Sequence, residues 1–160
     1  MRKFYCTLLL LAVSSSAIYS QTIIDRDPEI AAMVKEVSSD SLHSYIKTLV
    51  NFGTRNTLST QTNPKRGIGA ARKWVLQKFN EFATASNGRL TAFIDTVTYH
   101  PDGKRVDSTI ILGNVIATLK GTDPNDHRVF IISGHLDNMR TNVMDRVNDA
   151  PGAKDRKSVV

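Results

Sequence analysis

The sequence predicts a single globular domain of the α/β class, and three observations support this prediction. Apolar residues recur at helical spacing in the first half, two strand-like runs follow the third helical segment, and a short run of β-branched and aromatic residues comes last. The 160 residues are 41% hydrophobic and 22% charged, which is the composition of an ordinary domain with a core of its own.

Residues 1–20 are expected to be a secretory signal peptide. Two basic residues open it, an apolar run covers residues 7–13, and small residues lead to a cleavage site near Ser20, with Ala17 as the alternative. The apolar run is too short to span a bilayer, so we expect a secreted or periplasmic protein.

The only cysteine of the sequence, Cys6, precedes the apolar run rather than following it. This position argues against a lipid anchor, and cleavage near residue 20 leaves a mature chain without a thiol. A metal would therefore be held by histidine and carboxylate side chains. Because the apolar run is short and Cys6 precedes it, we expect no membrane anchor. The formal net charge of +6 is spread along the chain without a basic stripe, so we expect no nucleic-acid partner.

Three helices are predicted before the strands. The first begins at Asp27-Pro28-Glu29, which combines an N-cap acceptor, an early proline and an acid beside the positive helix end. The second follows the polar residues 38–40. The third begins at Gly67-Ile68-Gly69, where a close-packed helix start is favoured over a phosphate-binding loop because a third glycine and a preceding strand are missing. Trp74, in the third helix, is expected in the core.

Three strands are predicted after these helices. Leu90 to Tyr99 and Ser108 to Leu119 are expected to pair as an antiparallel hairpin, since turn residues lie between them. Val129 to Ile132 has the continuous apolar character of a strand that is buried on both faces of a parallel sheet. Together with the helices, these strands indicate an α/β sandwich.

Chemically useful side chains follow the third strand directly. His135 and Asp137 come where the apolar run stops, and ligands of open α/β sheets collect outside the carboxyl ends of the strands. Asp155 follows His135 by 20 residues. An imidazole and a carboxylate suit zinc, and Asp137 is placed to hold the second imidazole nitrogen. Two ligands are not a catalytic site, and from these residues alone a purely structural role stays open; Asp145 and Asp149 are further available carboxylates.

Two motifs at this spacing resemble the co-catalytic zinc exopeptidases, the family of bacterial leucyl aminopeptidases, glutamate carboxypeptidases and glutaminyl cyclases. These motifs are S-G-H-L-D at 133–137 and A-P-G-A-x-D at 150–155, supported by N-F-G-T-R at 51–55 and similar segments at 66–74 and 114–122. The resemblance covers roughly residues 42–155. It implies a three-layer α/β/α sandwich that carries two zinc ions sharing one bridging aspartate and one water.

The resemblance also implies a role for each candidate residue. His135 corresponds to a ligand of one zinc, Asp155 to the bridging carboxylate, and Asp137 to the catalytic-site aspartate that orients the histidine. The implied reaction is aminopeptidase hydrolysis of a peptide with a free N-terminus. Carboxypeptidase or glutaminyl cyclase chemistry on the same scaffold, and a non-catalytic secreted binding module, are the alternatives; substrate preference and oligomeric state stay open.

The chain departs from the family pattern after Asp155. Residues 156–160 are Arg-Lys-Ser-Val-Val, where the family continues towards Ser-Gly. Three basic residues, Lys154, Arg156 and Lys157, therefore place positive charge beside the expected ligand. The Glu-Glu pair, the later aspartate and the final histidine of the family have no counterpart here. We therefore expect residues 21–160 to be the N-terminal part of a zinc-peptidase-like catalytic domain, a fragment that binds zinc weakly and does not turn over peptides.

Overall fold

The computed structural model describes residues 27–150 and residue 152. The chain divides into two compact units, residues 1–38 and 39–160. The described part of the first unit contains helix α1, Pro28–Lys35. The carboxylate of Asp27 caps this helix by accepting hydrogen bonds from the N–H groups of Glu29 at 2.8 Å and Ile30 at 3.4 Å. The predicted helix start is therefore confirmed. The expected signal peptide, 1–20, lies outside the described residues.

The second unit contains two helices and an antiparallel pair of strands. Helix α2 is Ser39–Asn51, and helix α3 is Gly67–Ala83, which a short 3-10 turn, Thr84–Ser86, extends. Strands β1, Leu90–Tyr99, and β2, Ile110–Leu119, pair in the predicted hairpin, and α3 packs on both strands. The mixed α/β class is confirmed, and the sheet of the described residues has two strands.

The core of the second unit lies where α2 and α3 meet the loop between them. Phe52, Ala70 and Ala71 are buried together, and Trp74 packs against them. The indole of Trp74 meets the rings of Tyr45 and Phe52 edge-on, with centroid distances of 5.7 and 6.4 Å. The expected core position of the tryptophan is confirmed.

The start of α3 is tightly packed against the loop of residues 52–61. Its first three N–H groups all donate into this loop: Gly67 to the carbonyl of Phe52 (3.2 Å), Ile68 to Oγ of Ser59 (2.9 Å) and Gly69 to the carbonyl of Thr60 (3.2 Å). A Cβ atom on Gly69 would overlap the backbone of Gln61. The loop occupies the space that a phosphate would need, which confirms the close-packed helix start.

The predicted strand at Val129 to Ile132 is wrong for the described structure. These residues have no strand pairing, and each is between 81% and 100% exposed. A strand buried on both faces needs a neighbouring strand for its N–H and C=O groups and helices over its side chains. No other strand pairs with this segment within residues 27–150, so the apolar run has no regular secondary structure and is open to solvent.

Among the described residues, none of the helices combines the length and the apolar character that crossing a membrane requires.

Candidate metal centre

A buried polar loop after α2 organises the candidate site. Thr54, Arg55 and Asn56 are each at most 5% exposed, although the sequence there is polar. Buried polar groups persist only when they are hydrogen-bonded, and the side chains of this loop bond to several segments that are distant in sequence. The amide of Asn56, for example, donates to the carbonyl of Val143 at 3.0 Å. The loop therefore connects α2 with the segments that carry the candidate ligands.

The guanidinium of Arg55 donates to three backbone carbonyls in three different segments. Nη1 bonds Leu49 at the end of α2 at 2.6 Å, Nε bonds Leu136 at 2.9 Å, and Nη2 bonds Gly152 at 2.7 Å. Leu136 lies between His135 and Asp137, and Gly152 lies in the A-P-G-A-x-D motif. One buried side chain thus contacts both motifs from which the metal site was predicted.

Hydrogen bonds of Asn138 connect the same two segments a second time. Its Oδ1 accepts from the N–H of Arg55 at 2.7 Å, and its own N–H donates to the carbonyl of Arg55 at 3.3 Å. Its Nδ2 donates to the carbonyl of Ala150, whose N–H in turn donates to Gly53 at 2.9 Å. Gly53 has a φ of +70°, and a Cβ there would overlap Arg66. Residues 53–55 therefore hold Asn138 and Ala150 side by side.

The structure brings His135 and Asp137 together. Nδ1 of His135 lies 2.9 Å from the carbonyl oxygen of Asp137 and 3.2 Å from its Oδ1. The other carboxylate oxygen accepts from the hydroxyl of Thr57 at 3.3 Å. Both side chains are about half exposed. With Nδ1 engaged by oxygen acceptors, a metal would be taken by Nε2, and this carboxylate-held imidazole fits one zinc-ligand position.

The remaining predicted ligand, Asp155, lies outside the described residues. Within the part of the chain that the structure describes, no group of three or more His, Cys, Asp or Glu side chains is placed to hold a metal. The two alternative carboxylates are engaged elsewhere: Asp149 pairs with Arg66 at 2.6 Å, and Asp145 lies 3.4 Å from Arg140. Hydrogen bonds from Asn148 hold the pKa of Asp145 below its usual range.

Two buried arginines shape the charge around Asp137. Burial lowers the pKa of Arg55 and of Arg72, and the negative charge of Asp137 acts in the opposite direction on both. Both guanidinium groups stay protonated at any physiological pH. Among the described residues, the hydrogen-bond partners of Arg72 lie outside the ligand segments: its Nη1 bonds Oε1 of Gln61 at 2.8 Å and the carbonyl of Ile111 at 3.1 Å.

An open cleft of about 230 Å³ lies on one side of Asp137. Its wall is mainly apolar and is formed by the end of the hairpin and the loop after Asp137: Tyr99, Val106, Ile110, Leu112, Met139 and Val143. A cleft of this character can receive an apolar group next to the candidate ligands.

Arg55 and Asn138 were missed as functional candidates from the sequence. In the sequence, the segment N-F-G-T-R indicates only a similarity to a family, and no pattern distinguishes Asn138 from other polar residues. The available signal was an arginine inside a short run of polar residues between two helices. Its burial depends on carbonyls more than 80 positions away in the chain, which no local pattern encodes.

Comparison with known proteins finds curated relatives that are named probable zinc metalloproteases. The chain is 42% identical to one from Phaeosphaeria nodorum over 81% of its own length, and 42% identical to those from Pyrenophora teres f. teres and Pyricularia oryzae over 84%. It covers 26%, 29% and 26% of these relatives, so it spans little more than a quarter of their length. No family profile matches the chain. No solved structure matches it.

Proposed function

We propose that this chain is part of a zinc-dependent peptide hydrolase. The observation that carries the proposal is the contact between His135 and Asp137, with the segment before Asp155 tied to the same buried arginine. The similarity to proteins named probable zinc metalloproteases supports zinc and proteolysis. The finer parts of the proposal, an aminopeptidase reaction and a three-layer α/β/α sandwich with two zinc ions, rest on the motif resemblance.

The chain's own residues have separate tasks in this proposal. His135 would bind zinc through Nε2, and Asp137 would keep Nδ1 protonated and the ring in one orientation. Thr57 steadies the carboxylate of Asp137. Asp155 would supply the bridging carboxylate. When bound, zinc polarises a scissile carbonyl and makes a water molecule more acidic. The substrate would be a peptide with a free N-terminus.

We also propose that residues 1–20 direct export and that the mature chain, 21–160, is secreted or periplasmic. To test this, the full chain is expressed, and the mass of the exported protein is compared with the mass of the protein in the cytoplasmic fraction. The expected mass is that of a chain beginning at Gln21, and retention of the first twenty residues would contradict the proposal.

Zinc titration of the purified chain by calorimetry tests the metal function. We expect weak binding in the parent chain, a loss of binding in His135→Ala, and parent-like binding in His43→Ala, which removes an exposed imidazole from α2. Equal binding in the two variants would overturn the assignment of His135. The non-catalytic alternative predicts no gain in melting temperature on adding zinc, whereas binding to the folded state raises it. Peptidase activity of the purified chain would contradict the expectation that residues 21–160 do not turn over peptides.

A further inference from the structure

We propose that Arg55 is a positioning residue of the metal centre: its guanidinium sets the relative placement of the segment that carries His135 and the segment that leads to Asp155. The inference rests on the proposed zinc function, which it deepens. It assigns a task to a residue that would not itself touch the metal or the substrate.

The geometry of the guanidinium supports this assignment. Nε and Nη2 bond the carbonyls of Leu136 and Gly152, two residues that are 16 positions apart in the chain (152 − 136). Nη1 bonds the carbonyl of Leu49 and so connects both segments to the end of α2. Because the guanidinium is rigid and planar, these three bonds fix directions as well as distances. Moving either segment would break at least one of them.

The Leu136 contact acts directly on the candidate ligand. The carbonyl of Leu136 belongs to the peptide unit that joins it to Asp137, and His135 precedes it. Its orientation therefore limits how the imidazole and the carboxylate of Asp137 face each other at 3.2 Å. The Gly152 contact acts three residues before Asp155 (155 − 152). The arginine thus reaches a point next to each predicted ligand.

Burial makes this link difficult to replace. Arg55 is 5% exposed, and a buried cation is costly unless its N–H groups are hydrogen-bonded. If one ligand segment moved away, a guanidinium N–H would lose its acceptor. The penalty falls on any arrangement in which the two segments separate, so it favours the one that keeps the carbonyls of Leu136 and Gly152 at the guanidinium.

Arg72 offers a matched comparison. It is also buried, at 7% exposed, it also bonds a backbone carbonyl, and it also lies in the field of Asp137. It differs in the property that matters, because its partners are Gln61 and Ile111 rather than the ligand segments. Arg55→Lys and Arg72→Lys both keep a positive charge and both lose guanidinium geometry.

The experiment compares these two variants of the full chain in two measurements. The first is zinc affinity by calorimetry; the second is amide hydrogen exchange by NMR without metal at Asn138 and Ala150, whose N–H groups bond Arg55 and Gly53. We expect Arg55→Lys to weaken zinc binding by about 10- to 100-fold, the usual effect of losing an outer partner of a metal ligand. It should also speed exchange at both amides. Arg72→Lys should leave zinc affinity and both exchange rates at the parent values.

Asn138→Ala keeps the test decisive if Arg55→Lys does not fold. This variant removes the side-chain bonds from Asn138 to Arg55 and Ala150 without altering a buried charge. It should weaken zinc binding and speed exchange at Ala150.

Parent-like zinc affinity in a folded Arg55→Lys or Asn138→Ala chain would overturn the proposal. So would an equal loss of affinity in Arg72→Lys, which would show a general effect of destabilisation. If the parent chain binds no zinc, the proposed metal function fails, while the exchange rates still decide whether Arg55 holds the two segments together.

Discussion

Two hydrogen bonds join the backbone of Arg55 to Asn138: the side-chain Oδ1 of Asn138 accepts from the N–H of Arg55 at 2.7 Å, and the backbone N–H of Asn138 donates to the carbonyl of Arg55 at 3.3 Å. The two residues are 83 positions apart. The pair brings the loop after α2 against the residue that follows Asp137. The segment of residues 127–137 is thereby fixed at its end, although it has no strand pairing of its own.

Replacing the amide of Asn138 by a carboxylate should destabilise the protein. In Asn138→Asp, one oxygen can still accept from Arg55, but the other faces the carbonyl of Ala150, where Nδ2 now donates. A lost bond that leaves a buried acceptor unpaired costs about 1–3 kcal/mol; because this site is partly buried, the free energy of unfolding in urea should fall by about 1 kcal/mol, at the lower end of that range. Asn142→Asp is the control, because Asn142 is exposed and only accepts, from Met144. An equal effect of both changes would contradict this account.

Alanine at Gly69 should destabilise α3, although alanine normally stabilises a helix by about 1 kcal/mol over glycine. A Cβ at this position would overlap the backbone of Gln61, which cannot rotate away as a side chain could. We expect a net loss of about 1–3 kcal/mol, the usual range for overpacking, measured by urea unfolding. Gly121→Ala is the control, since a Cβ at Gly121 meets nothing within 4 Å. A stabilised Gly69→Ala variant would show that the loop of residues 52–61 yields easily.

The ion pair between Asp107 and Arg146 should make stability depend on pH in the acid range. Hydrogen bonding from Arg146, 2.5 Å away, holds the pKa of Asp107 below its usual range. The pair therefore contributes stability above the unfolded pKa of about 3.9, and that contribution is lost as the pH falls through the lower folded pKa.

Urea midpoints between about pH 6 and pH 2 measure this effect. Asp107→Asn should remove this contribution to the acid part of the profile, and Arg146→Gln should remove the larger part of it, since hydrogen bonds from Ser108 and the backbone also lower the pKa of Asp107. The double variant should resemble Asp107→Asn. If Arg146→Gln leaves the slope unchanged, Arg146 does not lower the pKa of Asp107.

The parts of the fold that were predicted correctly depend on neighbours in the sequence. The cap of α1 needs only Asp27 and the next three residues, and the hairpin needs two apolar runs and a turn. A strand at Val129 to Ile132 would need neighbouring strands from other parts of the chain. The apolar run shows that the segment is suited to burial in a sheet, but it does not show that such neighbours are present. The role of Arg55 could not be predicted for the same reason, because its acceptors, Leu136 and Gly152, reach it only through tertiary folding. The pairing of His135 with Asp137 was accessible because the two residues are nearly adjacent.

Removing the charge of Asp137 should weaken zinc binding without abolishing it. In Asp137→Asn the single amide oxygen can accept from Thr57 or from Nδ1 of His135 but not from both, and the imidazole loses its carboxylate partner. We expect a loss of about tenfold or more in zinc affinity, smaller than the loss in His135→Ala. Asp149→Asn is the matched control. Asp149 lies in the loop between the two motifs, and its carboxylate pairs with Arg66. Calorimetric titration of the three variants ranks them: an Asp149→Asn chain that binds zinc less well than Asp137→Asn would make Asp149 the ligand and Asp137 a structural residue.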